Sequence, residues 1–275
     1  LHVGVYKTIA NARIQMFELV DSHVHLDDSA FDADRGEVIV RARHAGVNTM
    51  IVPAVDAASW SRITALCAQH PSSVFAAFGM HPLFLHQHAP AHVDALSSWL
   101  DGNEAVAIGE IGLDFHVDDL DRDLQRHYFA HQLRLARERG LPVIVHARRA
   151  LEEVTLTLRR TGQLRGVVHS FSGSEQQAHR LWELGFHLGI GGPVTYPRAQ
   201  RLRRIVATMP IEFLLLESDA PDQPGADHRG QRNEPARVAD VLRCGAALRD
   251  EPEAVVAAAT TANAHRLFGI HRHGG

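Results

Sequence analysis

The chain has 275 residues, 45% of them hydrophobic and 22% charged, with a formal net charge of −4. That balance excludes a disordered or collagen-like chain and leaves room for one large α/β barrel or two ordinary domains. It also excludes a broadly polycationic nucleic-acid binder, so any surface that grips phosphate has to be local.

Cys67 and Cys244 are the only cysteines. Two isolated thiols make no disulfide framework, and a reduced, cytoplasmic setting is expected. No apolar run is long enough to span a bilayer, no signal-peptide pattern is read, and no membrane or obligate protein partner is expected. The single lysine, Lys7, falls in a patternless stretch. Residues 1–16 are read as a leader or appended segment outside the fold, and 270–275 as a tail. The remaining domain, 17–269, therefore has no lysine for a Schiff base, for pyridoxal phosphate or for a Walker-A loop.

A short apolar run at 17–20 predicts the first strand, followed by a helical pattern over 34–45 that Gly46 stops. A strand at 48–52, a helix over 57–69 ended by Pro71, and strands at 74–78 and 105–109 come next. A long helix over 121–139 is closed by Gly140, with a strand at 142–145 beyond it. Helix 150–160, strand 166–168, helix 175–184, strand 186–190, helix 198–207 and strand 213–216 continue the alternation. Helices over 233–248 and 251–267 close it. Eight strands buried on both faces, with helices between them, predict an α/β fold: a single-domain (β/α)8 TIM barrel. An open doubly wound sheet would gather its polar residues near one switch point, whereas here they follow strands along the whole chain.

Those strand ends carry the chemistry. Asp21-Ser22-His23-Val24-His25 places two imidazoles on one side of an extended chain. Glu110 follows the fourth strand, His146 the fifth, His169 the sixth and Asp219 the eighth. In a barrel these positions meet at the C-terminal face, where unpartnered charges would be costly. Four His and two carboxylates match a divalent-metal donor set and exceed one tetrahedral zinc site. Two cations are expected, His23, His25 and Asp219 on one, His146 and His169 on the other, with Glu110 bridging. Their identity, zinc by donor type or magnesium or manganese by phosphoryl chemistry, stays open.

In this order the pieces resemble the TatD family of metal-dependent deoxyribonucleases, in the wider amidohydrolase-like barrel group. The matching stretches include Asp21-Ser22-His23-Val24-His25-Leu26, Gly79-Met80-His81-Pro82, Gly109-Glu110-Ile111-Gly112-Leu113-Asp114 and Val145-His146-Ala147-Arg148. They continue through His169-Ser170-Phe171-Ser172-Gly173-Ser174, Glu217-Ser218-Asp219-Ala220-Pro221, Arg232-Asn233-Glu234-Pro235 and Asn263-Ala264-His265-Arg266-Leu267-Phe268. The resemblance implies metal-dependent hydrolysis, DNA cleavage and 3′–5′ exonuclease activity, with DNA or an oligonucleotide as substrate, and the same ligand set. The chain departs from the family at Ser218, usually Thr, at Arg149, often acidic, and at Asp222-Gln223-Pro224, usually an aromatic–aliphatic pair.

Two cations about 3.5–4 Å apart would hold and acidify a bridging water for in-line attack. Asp219 is the expected base and Glu110 the bridging group. Arg148, two residues after His146, suits phosphate, as do Arg232 and His81, and Glu217 is expected to support the site from behind or to sit in a buried ion pair. His86, His88 and His92 are expected at the surface, and Arg198, Arg201, Arg203 and Arg204 form one basic helical face. Hydrolysis of a small amide or lactone on the same centre is the alternative function, and a non-catalytic metal-bound protein is a third.

Overall fold

The computed structural model describes residues 17–270. The leader with Lys7, and the tail residues His271 and His273, lie outside the described residues.

The chain runs β1 (Leu19–Asp21), α1 (Arg35–His44), β2 (Val47–Pro53), α2 (Trp60–Gln69), β3 (Val74–Phe78), α3 (Ala91–Gly102) and β4 (Ala107–Asp114). It continues through α4 (Arg122–Arg139), β5 (Val143–Arg148), α5 (Leu151–Thr161), β6 (Gly166–Val168), α6 (Glu175–Glu183) and β7 (Phe186–Ile190). α7 (Gln200–Thr208), β8 (Leu214–Leu216), α8 (Val238–Arg249) and α9 (Glu253–Phe268) complete it. The strands form one sheet in the order β1 to β8, each parallel to the next. Backbone bonds close the seam: Ser22 N–H donates to Leu216 O (3.0 Å), Asp219 N–H to His23 O (2.9 Å) and His25 N–H to Ala220 O (2.8 Å). The fold is the single-domain barrel that the alternation predicts.

Two helices, α4 and α6, start on side-chain caps. The Asp121 carboxylate accepts from the amides of Asp123 and Leu124 at the start of α4, and Gly140 ends it in the left-handed region. Ser174 and Gln177 form a reciprocal capping box on α6.

Three expectations need correction. β4 does not stop at residue 109 but runs on to Asp114, because β5 offers paired backbone out to Arg148. Gly112 allows that approach, since a Cβ there would lie 2.0 Å from His146 O. Helix α3 falls in a stretch where no helix was expected; its polar surface hides a buried Leu96 and a Trp99 that packs on Trp60 and Phe78. The helix expected to open at residue 233 opens later, with a 3-10 turn Pro235–Arg237 and then α8.

The core has two parts. The larger lies between strands and surrounding helices. The smaller fills the barrel interior with Val20, Ile51, Ala77, Ala107, Ile144, Val167 and Leu215, plugged by Ala264, Leu267 and Phe268 of α9. Asn263 fixes that plug by donating to the carbonyls of Ile211 and Leu214, and Thr261 donates to Glu18 O. The N-terminal ends of the strands are thereby sealed, and the polar strand ends lie at the other mouth.

Candidate metal centre

Glu110 sits at the middle of the C-terminal mouth and is 1% exposed, buried among five histidines. Its two oxygens face different groups. Oε2 lies 3.3 Å from His23 Nε2 and 3.6 Å from His25 Nε2. Oε1 lies 2.7 Å from His169 Nε2, 3.0 Å from His146 Nδ1 and 3.0 Å from His81 Nε2. Asp219 Oδ1 approaches the first group, 3.6 Å from His23 Nε2 and 3.7 Å from His25 Nε2.

The chemistry of these donors fits cations. His23 Nε2 and His25 Nε2 are 3.2 Å apart, and so are His146 Nδ1 and His169 Nε2. Lone-pair nitrogens converging this closely on carboxylate oxygens need positive charge between them, which a ring proton or a bound metal cation supplies. These groups also shift one another strongly. Burial opposes charge on His169, yet Glu110 overrides it and lifts the imidazole to about 10. Burial likewise opposes charge on Glu110, but the surrounding histidines hold it well below the ordinary carboxylate range. His23, buried and beside His169, is pushed well below the usual histidine value. Three clusters among the described residues have the spacing to hold a metal ion: His23–His25–Glu110, His23–His169–Asp219 and His81–Glu110–His146.

His81 differs from the other four histidines. The Leu83 amide donates to its Nδ1 (3.1 Å), so the neutral ring carries its proton on Nε2 and donates to Glu110 Oε1. Burial lowers its pKa to about 4, which keeps the ring neutral. His88 is not a surface residue as expected: it is half-buried and donates to His81 O (2.9 Å), holding that loop.

Several supporting residues had not been singled out. Asp114 Oδ2 accepts from His146 Nε2 (3.0 Å), which fixes the tautomer and aims the Nδ1 lone pair at the centre. A signal existed, because residues 110 and 114 are four apart on one strand and share a face. Asp21 is fully buried, accepts from the amides of His23 (3.2 Å) and Ser218 (2.9 Å) and from the Ser218 hydroxyl (2.5 Å), and locks the ends of β1 and β8 together. Burial raises its carboxyl to about 7. Gln223, in the segment that departs from the family, donates to Asp219 Oδ2 and exchanges a hydrogen bond with the Ser170 hydroxyl. Asp219, Ser170 and Gln223 all hold positive φ, of 55°, 46° and 51°, a cluster of sparsely populated backbone around one carboxylate.

Glu217 lies behind His169. Its Oε1 accepts the Ser170 amide (2.5 Å) and stands 3.9 Å from His169 Nδ1. The carboxylate fills space that only glycine leaves, since a Cβ on Gly189 would meet Oε2 at 2.0 Å. Burial raises its pKa to about 8.

The centre floors a cavity of about 1290 Å³ that Arg148 also lines. Arg148 is exposed there, with no ion pair among the described residues. Arg232 is not brought into the cavity. Its guanidinium forks onto Asp34 (2.8 and 2.7 Å), donates to Ala30 O and lies over the Phe31 ring.

Residues 20–269 match the family described as TatD related DNase. The chain is 41% identical to the uncharacterized metal-dependent hydrolase YjjV of Escherichia coli K12, over 91% of this chain and 98% of that one. It is 34% identical to the 3′-5′ ssDNA/RNA exonuclease TatD of Erwinia tasmaniensis, over 92% of this chain and all of that one. The crystal structure of the Escherichia coli K12 YjjV superposes with a TM-score of 0.89 at 38% identity, covering 93% of this chain and 100% of that one. With a barrel of this form and a histidine–carboxylate centre at its mouth, the chain belongs to the TatD-related deoxyribonuclease family of metal-dependent hydrolases.

Proposed function

We propose that this enzyme hydrolyses phosphodiester bonds at the ends of nucleic-acid strands, as a 3′–5′ exonuclease on single-stranded DNA. The observation that carries the reading is the division of Glu110. One oxygen faces His23 and His25 and the other faces His146 and His169, in a cavity that also presents a free arginine. His23, His25 and Asp219 would hold one divalent cation, His146 and His169 the other, with Glu110 shared between them. Relatives named as ssDNA/RNA exonucleases at 34 and 35% identity support the substrate class. Two half-buried free thiols suit a reducing, cytoplasmic setting. No helix among the described residues is long and apolar enough to cross a membrane.

Cations at such a centre supply Lewis acidity towards a phosphoryl oxygen and lower the pKa of a water. The chain's own groups do the rest. Asp219 accepts the proton of the attacking water through Oδ1, while Gln223 keeps Oδ2 turned away from the donors. Asp114 holds the ring of His146 from behind, and Glu217 stands 3.9 Å behind that of His169. Arg148 forks onto a non-bridging phosphoryl oxygen as charge grows there. The P–O bond to the departing 3′ oxygen breaks, leaving an alcohol on the shortened strand and a nucleoside monophosphate.

The test is stepwise shortening of 5′-labelled single-stranded DNA from its 3′ end, by protein stripped of metal and reloaded separately with Mg2+, Mn2+ and Zn2+. Asp219→Asn is expected to lower kcat by about 10²–10⁴-fold with the fold intact. DNA left uncut beside turnover of small amides or lactones would replace this reading with the amidohydrolase one.

A further inference from the structure

Four arginines line the cavity, and they differ in how their charge is met. Arg62, on the side of the β1 and β2 loops, is neutralised by Asp27 (2.9 Å). That side also presents Asp28 and Asp56, and Asp32, which pairs with Arg35 (2.5 Å). The opposite side carries Arg148 from the end of β5, with Arg198 just before α7 and Arg201 in its first turn. None of these three makes a salt bridge among the described residues, although the charge of Arg148 is felt by the Asp114 carboxylate beneath it.

Neutral groups hold two of them in place. Arg198 lies over the Tyr196 ring at 5.1 Å, and the Tyr196 hydroxyl is tied to Pro224 O (3.0 Å). Arg201 donates from Nη2 to Ser172 O (2.8 Å) on the loop that follows β6. The other two arginines of the helical face turn away. Arg203 donates to Val194 O and Cys244, and Arg204 pairs with Glu175. The face that looks uniform in the sequence is thus divided into a cavity half with free charge and an outer half with its donors engaged.

We infer that Arg201 and Arg198, lying beyond the scissile-phosphate contact of Arg148, form a track for backbone phosphates further along the strand, so that affinity grows with strand length. The inference rests on the phosphodiesterase reading and deepens it. A polyanion leaving the metal centre meets carboxylates on the β1–β2 side and, on the β5–β7 side, guanidinium groups without a salt bridge among the described residues, so electrostatics select one exit. A guanidinium held by a ring or a carbonyl keeps donors free and loses little side-chain freedom when phosphate arrives. The cavity of about 1290 Å³ exceeds what a single small ligand fills, by the usual pocket range of roughly 300–1,000 Å³.

The experiment compares KM for a single-stranded dinucleotide and hexanucleotide, with bis(4-nitrophenyl) phosphate as a substrate too small to reach the track. The wild type is expected to bind the hexamer about tenfold or more tightly than the dimer, as charge-assisted contacts imply. In Arg198→Gln/Arg201→Gln that ratio falls to near one. Arg204→Gln, on the same helix but turned outwards, keeps it. Binding of a labelled hexamer is read separately in the Asp219→Asn background, which leaves the strand uncut. There the slope of log affinity against log salt falls by about 1.4 when the two arginines are replaced. Thermal melts confirm that the variants fold, and Arg198→Glu serves if the double variant does not. A hexamer advantage that survives the double variant, or an unchanged salt slope, overturns the track while leaving the phosphodiesterase reading standing. Failure to cleave either the small diester or the oligonucleotides overturns that reading instead, and an unchanged salt slope then removes the track as well.

Discussion

The two mouths of this barrel are built from the same eight strands and solve opposite problems. At the N-terminal mouth Val20, Ile51, Ala77, Ala107, Ile144, Val167 and Leu215 meet Leu267 and Phe268 of α9, with the backbone ends capped by Asn263. Among the described residues no buried side-chain polar atom there lacks a partner, and apolar burial sets the energy. At the C-terminal mouth His23, Glu110, His169 and Asp219 are just as buried, yet buried ring nitrogens of His23 and His169 and one oxygen of Glu217 lack partners. The difference teaches where the molecule stores stability and where it gives stability up for chemistry. Sealing one end frees the other to gather histidines and carboxylates that could hold a metal ion.

Breaking the sealed end should cost stability and little else. Leu267→Ala removes a side chain that is 2% exposed, and a loss of about 2–5 kcal/mol in urea unfolding is expected. Activity per folded molecule should stay close to wild type. A fall in kcat without loss of stability would show that the two ends are coupled.

The open end should answer in the reverse sense. Asp114→Asn removes the acceptor that orients His146, so metal affinity or kcat should drop by about 10–100-fold. Its melting temperature in chelator should change little. Titrating metal into the variant separates this from a folding defect, and unchanged affinity together with unchanged kcat would remove Asp114 from the account.

A smaller effect sharpens the contrast between a site that binds and a bridge that only holds. The Arg232 fork depresses the Asp34 carboxyl to about 2. A carboxylate with a lowered folded-state pKa stabilises above its unfolded value, near 3.8, and that contribution is lost as pH falls through about 2. Asp34→Asn should therefore be less stable than wild type near neutrality, with the gap narrowing between pH 4 and 2. A gap independent of pH would mean that packing over Phe31, not charge, holds the bridge.

Much of this was legible before any coordinates. Short apolar runs and their Gly and Pro stops placed the strands, because strands buried on both faces have nowhere to put polar residues. The donor residues stood out since barrel topology brings strand ends together. What stayed hidden depended on register and distance along the chain. Asp114 was masked by reading β4 as ending at Gly109, which only pairing with β5 corrects. Arg232 looked like a phosphate ligand because its partner Asp34 lies 198 residues away. Helix α3 was missed because its anchors, Leu96 and Trp99, are sparse in a run of short polar residues. The division of the α7 arginines depends on Tyr196, Ser172 and Glu175, none of which helical spacing reveals.

The central claim is that Glu110 joins two cation sites. Counting metal equivalents in dialysed protein by elemental analysis, for the wild type and for Glu110→Ala, addresses it most directly. The account predicts two equivalents of divalent metal per chain in the wild type, and one or none in the variant. A single equivalent in both proteins, bound with the same affinity, would contradict it.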